Sequence, residues 1–507
     1  MALLNLLLLV FVGCVLFLIH LLIRQHTYWK SRKLLHVGFP PIINMNTALF
    51  FRQRSFPEHS KFLHSLHPNA KYYGTFDFNT PAIVVKDPEL IRDIFIKNFE
   101  YFPDHRSFVT EEMDPIVGRN VFSLKGQRWK DVRSTLSPSF TANKMKFMFQ
   151  LVSECSREFV QYFVNNPDSA KNVEAKDAFT RYTNDVIATA AFGIQVNSMR
   201  DRENEFYVYG KDATSFGTVC RLIKFMLFRA FPNVMRMSGE KFLSRSTDRF
   251  FKQLVTNTVK TREEKGIVRP DMIHLLMQAK DKKDGIEFTI DDIIGQAFIF
   301  FLAGFDVSST LMCFVAYELA AHPEIQERVQ EDIDKQLEQE NGLLTYESLG
   351  RIKYLDMVIN ETLRKYPPTP MTDRVCAKEF VIPSSMDGYP EYKVEVGTNI
   401  IMPIYGLHHD PRFFPDPEKF IPERFDDENK NNINPYVYVP FGLGPRKCIG
   451  NRFALMETKI LIVHILKKFN IKFTSKSKYP IVFCKKTFNL NIEGGFWLGL
   501  EERKITN

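Results

Sequence analysis

The thiol of Cys448 lies in a segment whose residue types suit metal binding. Glycines stand at positions 442, 444 and 450, and a helix-like run from Asn451 to Ile460 follows directly. Glycine lets the backbone approach a ligand closely, and N–H groups at a helix start stabilise a negatively charged sulfur. The segment therefore predicts a thiolate held beneath a flat metal macrocycle. The alternative is a buried structural cysteine that follows a glycine-rich turn.

A carboxylate is expected inside a long apolar helix. Thr289 can cap the start of this helix, the run from Ile293 to Ala321 is mostly apolar on all sides, and Pro323 ends it. Such a helix should be buried. Asp306 lies within the run, and a buried acid is costly unless it is paired or used in chemistry. Gly304 close by predicts that a ligand can approach the backbone there.

Two pairs of side chains fall on shared helical faces. Trp129 and Arg133 are four residues apart, and Glu361 and Arg364 are three apart in a helix that Pro367 ends. These spacings bring side chains together. In the first pair, the Arg133 guanidinium suits a carboxylate ligand. The second pair, if it were an ordinary exposed acid–base pair, would stabilise its helix by only about 0.5 kcal/mol.

The N-terminal segment predicts a membrane anchor. Ala2 to Ile23 carries no charged side chain apart from His20 when protonated, and it is about long enough to cross a bilayer. Basic residues follow at 24, 30, 32 and 33, which predicts that the rest of the chain faces the cytosol. A cleaved signal peptide, the alternative, would carry its positive charge before a shorter apolar core. The expected divisions are an anchor over 1–23, a basic, proline-containing tether over 24–41 and one large domain over 42–507.

Composition narrows the function classes. The 507 residues include 47 Phe, which can supply a large apolar core, and seven scattered cysteines, an odd number that argues against a disulfide framework. The net charge of +8 favours a membrane face or an acidic protein partner. Nucleic acid is not an expected partner, because the basic residues are dispersed and carry no nucleic-acid motif. The Gly-x-Gly-x-x-Gly fingerprint of a bound dinucleotide is also absent from the sequence.

The segment around Cys448 resembles the cysteine loop of the cytochrome P-450 haem-thiolate monooxygenases. It matches that family at Phe441, Gly442, Gly444, Arg446, Cys448 and Gly450. The resemblance implies haem b as the cofactor and Cys448 as the axial ligand of its iron, where a thiolate favours O–O cleavage. It also implies the family's fold, which is mainly α with small β-sheets (α+β), as one large haem-binding domain behind an N-terminal transmembrane helix.

Other motifs occur in the order that this family has. The resemblance assigns contacts with haem, mainly with its propionates, to Trp129, Arg133, Arg374, Phe441 and Arg446. His408 is either a further propionate contact or a packed loop histidine. A structural lock that holds the cysteine loop should be formed by Glu361, Arg364 and Arg424.

The segment 303–309 resembles the family's oxygen-activating helix. In that helix, small residues leave room for O₂, and an acid followed by Thr manages protons. Here Ala303 and Gly304 are the small residues, Asp306 is the acid, and Val307 replaces the Thr. Three accounts remain open: Ser308 or an ordered water supplies the proton, the substrate supplies its own hydroxyl, or the coupling of NADPH to product is poor or the chemistry atypical.

The substrate pocket can be placed only by position in the family. It should include Phe108, Phe122, Phe216, Phe305, Met371 and Phe488. Such a lining suits lipophilic ligands, but Phe is abundant throughout the chain, so any single Phe is better explained as core than as part of the pocket. The run from Phe225 to Phe231 is apolar enough to dip into a bilayer. The segments 300–306 and 494–498 look most like insect microsomal members that oxidise xenobiotics.

The resemblance therefore predicts an NADPH- and O₂-dependent monooxygenase of a lipophilic molecule, either a xenobiotic such as an insecticide or plant toxin or an endogenous lipid. Electrons should come from a separate NADPH–cytochrome P-450 reductase, with cytochrome b5 as a second candidate partner. The reductase should dock on a basic face that includes Lys125, Arg128, Lys130 and Lys447. The expected location is the endoplasmic reticulum membrane, with a single membrane pass and the catalytic domain on the cytosolic side.

Two alternatives to a monooxygenase stay open. The first is a haem-thiolate isomerase or dehydratase of peroxides, which needs no hydroxyl to deliver protons. The second is a haem protein that binds lipophilic molecules without turning them over.

Overall fold

The structure is a computed structural model that describes residues 2–37, 49, 51–107, 109–215, 218–269, 271–280, 288–487 and 489–504. Phe108, Phe216 and Phe488 of the predicted pocket lie outside the described residues, as do residues 38–41 of the predicted tether.

The described chain is mainly helical with small sheets, which confirms the predicted α+β class. In chain order, its α-helices are α1 (Ala2–Ser31), α2 (Phe56–Ser65), α3 (Pro88–Arg92), α4 (Pro115–Gly118), α5 (Gly126–Leu136), α6 (Ala142–Asn165), α7 (Pro167–Ala170), α8 (Ala175–Ile187), α9 (Glu205–Thr214), α10 (Val219–Ala230), α11 (Pro232–Ser238), α12 (Arg245–Lys265), α13 (Met272–Lys280), α14 (Ile290–Leu302), α15 (Ser308–Ala321), α16 (Pro323–Gln339), α17 (Tyr346–Leu349), α18 (Lys353–Lys365), α19 (Ile404–His408) and α20 (Asn451–Lys468). The strands are β1 (Tyr72–Asp77), β2 (Thr80–Val85), β3 (Val173–Glu174), β4 (Thr372–Val375), β5 (Phe380–Ile382), β6 (Tyr392–Val394), β7 (Asn399–Met402), β8 (Phe469–Phe473) and β9 (Trp497–Glu502). Turns of π-helix cover Asp93–Lys97, Ala188–Phe192 and Ala303–Val307.

The chain divides into two compact units, and the first consists of Met1–Arg106, Thr369–Phe413 and Asn434–Arg446. Its main sheet has the strand order β1–β2–β7–β4, with β2 and β7 parallel and the other neighbours antiparallel. Strands β5 and β6, which lie between β4 and β7 in the sequence, form a separate antiparallel pair. The sheet packs on α2 through an apolar cluster that includes Leu63 and Tyr73, and the Tyr73 hydroxyl donates to the Leu63 carbonyl at 2.6 Å.

The end of α1 is fixed to this first unit. Trp29 is fully buried, and its indole N–H donates to the Thr75 carbonyl at 2.8 Å. Gly74 is needed there, because a Cβ atom at this position would lie 2.6 Å from the indole ring. Arg32 forms an ion pair with Glu395 at 3.0 Å. The helix therefore continues through the first part of the predicted tether and ends on the sheet.

Two described helices are long and apolar enough to cross a membrane, Phe11–Ser31 and Ile290–Ala321. The second is mostly buried inside the protein, as a core helix should be. The first is almost wholly exposed. The division of the chain into anchor, tether and one large domain stays a prediction.

The second unit consists of Ser107–Pro368, Phe414–Ile433 and Lys447–Asn507. Its central helix runs from α14 through a π turn into α15, and α8 and α20 pack against it. The Thr289 side chain accepts from the Asp292 N–H, and the Asp292 carboxylate accepts from the Thr289 N–H at 2.9 Å. This capping box confirms the predicted helix start, and the end at Ala321 confirms the predicted stop before Pro323. A sheet in the order β3–β9–β8 completes the unit.

Candidate active site

The loop that carries Cys448 is irregular, and glycine is needed where it turns. Gly442 and Gly444 have φ angles of 74° and 70°, a region that other residues rarely adopt. A Cβ atom at Gly444 would also collide with the Phe95 carbonyl oxygen. The chain then forms a short 3₁₀ turn at Gly444–Arg446 and passes into the second unit at Lys447.

The Cys448 side chain is exposed and lies just before helix α20. Partial removal of water from the sulfur by the surrounding loop raises the pKa of the thiol above its ordinary value, while the Gly450 N–H and the positive charges of Arg133 and Lys447 act in the opposite direction. A metal cation deprotonates the thiol that coordinates it. These surroundings fit a sulfur that becomes a thiolate when it binds a metal.

Arg133 supports the cysteine loop directly. It lies on α5, where Trp129 is buried one turn earlier, so the predicted shared helix is confirmed. One Arg133 Nη donates to the Lys447 carbonyl at 2.6 Å, next to Cys448. The sequence predicted a ligand contact for this side chain but did not predict its bond to the loop backbone.

Two arginines of the first unit hold the other end of the loop. Arg374 on β4 is buried, and one Nη donates to the Leu443 carbonyl at 3.2 Å. Burial lowers the pKa of Arg374 to about 10, and its Nε has no hydrogen-bond partner among the described residues. Arg446 pairs with Asp104 at 2.5 Å and donates to the Pro103 carbonyl at 2.9 Å. A buried guanidinium with an unused N–H is a suitable donor for a carboxylate ligand.

The first unit also contains His408 and Phe441, which the sequence named as candidate haem contacts. His408 is fully buried, and its Nε2 accepts from the Val439 N–H at 3.1 Å, which favours the packed-histidine alternative. Phe441 is half-buried within the loop.

The predicted lock is present as a buried ion-pair cluster. Arg364 and Glu361 are both fully buried and joined by two hydrogen bonds of 2.8 Å. Arg424 lies 3.4 Å from the same carboxylate, which also accepts from the Ile421 N–H at 3.0 Å. Arg364 donates in addition to the Lys419 carbonyl at 3.2 Å. The cluster therefore joins α18 to the segment 416–424, and the buried Glu361 carboxylate is paired with two guanidinium groups.

The central helix widens into a π turn at Ala303–Val307. Ala303 and Val307 are exposed, Val307 to 42%, although most residues of this helix are buried. The exposed side chains of Ala303 and Val307 are both apolar. A π turn inside an α-helix often marks a functional site, and it leaves backbone carbonyls that need other partners.

Side chains of α8 supply those partners. Lys176 Nζ donates to the Asp306 carbonyl at 2.9 Å, and the Thr183 hydroxyl donates to the Phe305 carbonyl at 2.8 Å. Lys176 also pairs with the Asp306 carboxylate at 3.0 Å and donates to Ser309 and Thr310. The predicted acid is therefore paired, by a lysine that its sequence position alone did not reveal.

Ser308 is buried and hydrogen-bonded to Glu457 of α20. Burial raises the pKa of the Glu457 carboxyl well above its ordinary value, which favours the protonated form of this acid. Its Oε2 has no partner in the described chain. Glu457 was not predicted as a site residue, and its place nine residues after Cys448 is the signal that could have found it.

Several predicted site residues lie in packed surroundings. A Cβ atom at Gly304 would meet Ile187 at 2.9 Å, so this glycine permits close helix packing, whereas we predicted the approach of a ligand. Phe305 is buried and lies 5.1 Å from the Phe301 ring in an aromatic core. Met371 packs against the apolar cluster of the first unit. Phe122 is 54% exposed.

A family model described as Cytochrome P450 matches residues 38–498. The chain belongs to the cytochrome P450 family. Among its relatives, cytochrome P450 9e2 of Blattella germanica is 47% identical over 508 residues, covering 94% of both chains. Probable cytochrome P450 9f2 of Drosophila melanogaster is 42% identical over 475 residues, which cover 90% of this chain and 91% of the relative. Cytochrome P450 6j1 of Blattella germanica is 36% identical and covers 94% of both chains.

Membership of this family makes the protein a haem-thiolate monooxygenase, and its residues fit the cofactor. In the second unit, Cys448 would hold the iron. In the first unit, the unused Nε of buried Arg374 suits a carboxylate such as a haem propionate. When bound, haem with a thiolate ligand supplies the means to activate O₂.

We expect the buried lock to control stability. Arg364→Met leaves the Glu361 carboxylate buried without its main partner, which should cost about 3–5 kcal/mol. Arg364→Lys keeps the charge but not the paired hydrogen bonds, so it should fall between wild type and Arg364→Met. For both variants, thermal unfolding measures the loss of stability, and haem absorbance measures how much haem is retained. The control is Lys430→Met, which breaks an exposed pair with Asp427 at the same spacing and should change neither value. Equal losses in all three variants would contradict the assignment.

Lys176→Met should loosen the π turn. The change leaves the Asp306 carboxylate and two hydroxyls without their cation, and because Lys176 is 16% exposed the expected cost is about 2 kcal/mol, below that of a fully buried pair. Amide hydrogen exchange over residues 303–310 should become faster. Lys171→Met, at an exposed pair with Asp168, is the control, and unchanged exchange in Lys176→Met would show that Lys176 does not hold this turn.

Proposed function

We propose that this cytochrome P450 inserts one atom of O₂ into a lipophilic small molecule at the membrane of the endoplasmic reticulum, with NADPH electrons delivered by a separate reductase. The observation that carries the proposal is the exposed Cys448 thiol. It lies in a loop that turns at Gly442 and Gly444 and whose backbone accepts a hydrogen bond from Arg133. A xenobiotic such as an insecticide or plant toxin, or an endogenous lipid, is the proposed class of substrate.

The apolar face of the central helix supports a lipophilic substrate. Ala303 and Val307 present only hydrocarbon on the exposed part of the π turn. Neither can donate a hydrogen bond to a polar substrate, so affinity would rest on burial of apolar surface.

Electrons must reach the site from another protein. The overall reaction consumes one O₂, one NADPH and one proton for each substrate, and yields hydroxylated product, NADP⁺ and water. The sequence lacks a dinucleotide fingerprint. A negatively charged reductase, with cytochrome b5 as a second candidate, would dock on the exposed Lys125, Lys130 and Lys447. Arg128 contributes less to this face, because it pairs with the buried Asp292 at 2.6 Å.

Protons are proposed to come through Ser308. Val307 has no hydroxyl, whereas Ser308 is the next residue and already bonds Glu457, a buried acid whose pKa is raised well above its ordinary value by burial. Asp306 is held by Lys176 at 3.0 Å and would have to leave this pair before it could take part. An ordered water and a hydroxyl of the substrate remain the alternatives to Ser308.

The N-terminal helix supports the membrane location. Its outer part is apolar and exposed, and its end is fixed to the first unit by Trp29 and Arg32. The basic residues that follow the apolar run favour a cytosolic catalytic part.

Val307 also favours a second candidate function. An isomerase or dehydratase of peroxides needs no delivered protons and no NADPH, so the loss of the Thr would cost it nothing. The exposed lysines suited to an electron donor and the retained Asp306 favour the monooxygenase.

Isotope labelling separates these functions. The full-length haem protein, reconstituted with a reductase, NADPH, ¹⁸O₂ and a lipophilic probe, should form product with one ¹⁸O atom, and Cys448→Ser should form none. Product formed from a lipid peroxide without NADPH and without label would establish the second candidate. Haem binding and probe binding without either reaction would establish a binding protein.

Two substitutions test the source of protons. Ser308→Ala should divert NADPH from product to peroxide by about tenfold, within the range for loss of a proton donor, while probe affinity stays unchanged. Val307→Thr should restore coupling in the Ser308→Ala background, because it places a hydroxyl on the exposed face. If Ser308→Ala remains as well coupled as wild type, water or the substrate supplies the proton and the assignment to Ser308 is wrong.

A further inference from the structure

A groove of about 400 Å³ lies on the second unit, and none of the site residues predicted from the sequence lines it. Helices α6 and α20, which pack against each other, supply most of its lining. Phe149, Ser153 and Arg157 follow at a spacing of four residues on α6, so they share one helical face. Val463 and Lys467 have the same spacing on α20. The volume is within the range of about 300–1,000 Å³ that is usual for small-molecule sites.

The groove has an apolar part. Phe149, Leu337 and Val463 are buried, whereas Leu344 is half-buried and Leu343 is 69% exposed. An exposed leucine next to apolar side chains that line a cavity provides a surface on which a ligand can bury hydrocarbon.

Two buried polar atoms in the lining have no hydrogen-bond partner among the described residues. They are the hydroxyl oxygen of Ser153, which is only 9% exposed, and the Nε2 atom of His464. Burial and the nearby positive charges of Arg157 and Lys467 lower the pKa of His464 to about 4, so its imidazole is neutral at pH 7 and carries one N–H donor. Because buried polar groups in proteins are nearly always hydrogen-bonded, these two atoms indicate that a polar group of a ligand completes the site.

The lining carries one positive charge in excess. It contains two cations, Arg157 and Lys467, and one carboxylate, Glu154. Within the described chain, neither Arg157 nor Glu154 forms a hydrogen bond or an ion pair. Lys467 Nζ donates to the Gly342 carbonyl at 2.9 Å and has no carboxylate partner among the described residues. A guanidinium offers paired N–H groups that match the two oxygens of a carboxylate.

We propose that this groove binds a small lipophilic carboxylate, with its hydrocarbon against the apolar side chains and its charged end near Arg157 and Lys467. The Ser153 hydroxyl and the His464 N–H are further donors for that charged end. A neutral lipophilic molecule would leave the excess charge unused, and a small inorganic anion would leave the apolar lining unused. A single negative charge with attached hydrocarbon matches both features. The site does not rest on the oxidation chemistry proposed above.

Calorimetric titration of the full-length haem protein in neutral detergent tests the site, with the haem iron occupied by a tight-binding azole that keeps the added ligand away from it. Octanoate should bind about tenfold more tightly than octanamide, which has the same chain without the charge. Arg157→Gln/Lys467→Gln should remove this preference, and Arg157→Gln alone, which breaks no contact within the described chain, should reduce it. The control is Lys144→Gln/Lys468→Gln, which removes two charges from the same two helices outside the groove and should retain the preference.

A second variant tests the apolar part of the groove. Leu343→Ser/Leu344→Ser should weaken the binding of octanoate and of octanamide alike, by about tenfold, because both ligands lose apolar contact. Thermal unfolding and haem absorbance of each variant verify that the fold is retained.

Three results would overturn the proposal. Absent binding of octanoate, or equal affinity for octanoate and octanamide, would show that the excess charge is not used. An undiminished preference in Arg157→Gln/Lys467→Gln would place the carboxylate elsewhere on the protein. Acetate that binds as tightly as octanoate would make the groove a site for small anions only.

Discussion

The exposed thiol of Cys448 depends on a loop that has no regular hydrogen-bond ladder of its own. A ligand loop must keep its sulfur accessible while its backbone carbonyls find partners. In the first unit, Arg374 donates to the Leu443 carbonyl, and in the second unit Arg133 donates to the Lys447 carbonyl. Basic side chains on either side of the cysteine therefore do the work that a helix or sheet does elsewhere. Arg133 and Lys447 also place positive charge near a sulfur that becomes an anion when it binds a metal.

The central helix meets a related difficulty at its π turn. The wider turn exposes Ala303 and Val307, and it leaves carbonyls at Phe305 and Asp306 that Thr183 and Lys176 satisfy from α8. The turn thus exposes two apolar side chains, while side chains of α8 bond its backbone carbonyls. The arrangement holds Asp306 in an ion pair, and Ser308, the residue after Val307, is bonded to Glu457.

Buried charges fix how the helices of the second unit meet. Glu361 and Arg364 are fully buried, and so is Glu318, which accepts from Lys365 at 3.0 Å. A buried ion pair contributes little net stability over an apolar pair of the same size, but a displaced partner is costly. These clusters therefore favour one arrangement of α15, α18 and the segment 416–424 over its alternatives.

The sequence by itself determined the features that depend on neighbouring residues. The cap at Thr289, the stop before Pro323 and the pairing of Glu361 with Arg364 all follow from helix geometry over a few residues. The tertiary structure alone decided which distant groups meet. Lys176 reaches Asp306, Glu457 reaches Ser308, and Ile187 fills the space at Gly304. Phe305 packs in the aromatic core, where the sequence predicted a pocket residue. The sequence could not decide between the two, because periodicity shows on which face an apolar side chain lies but not which element covers that face. Local sterics act within a turn of the chain, whereas these partners are brought together by the packing of helices that lie far apart in sequence.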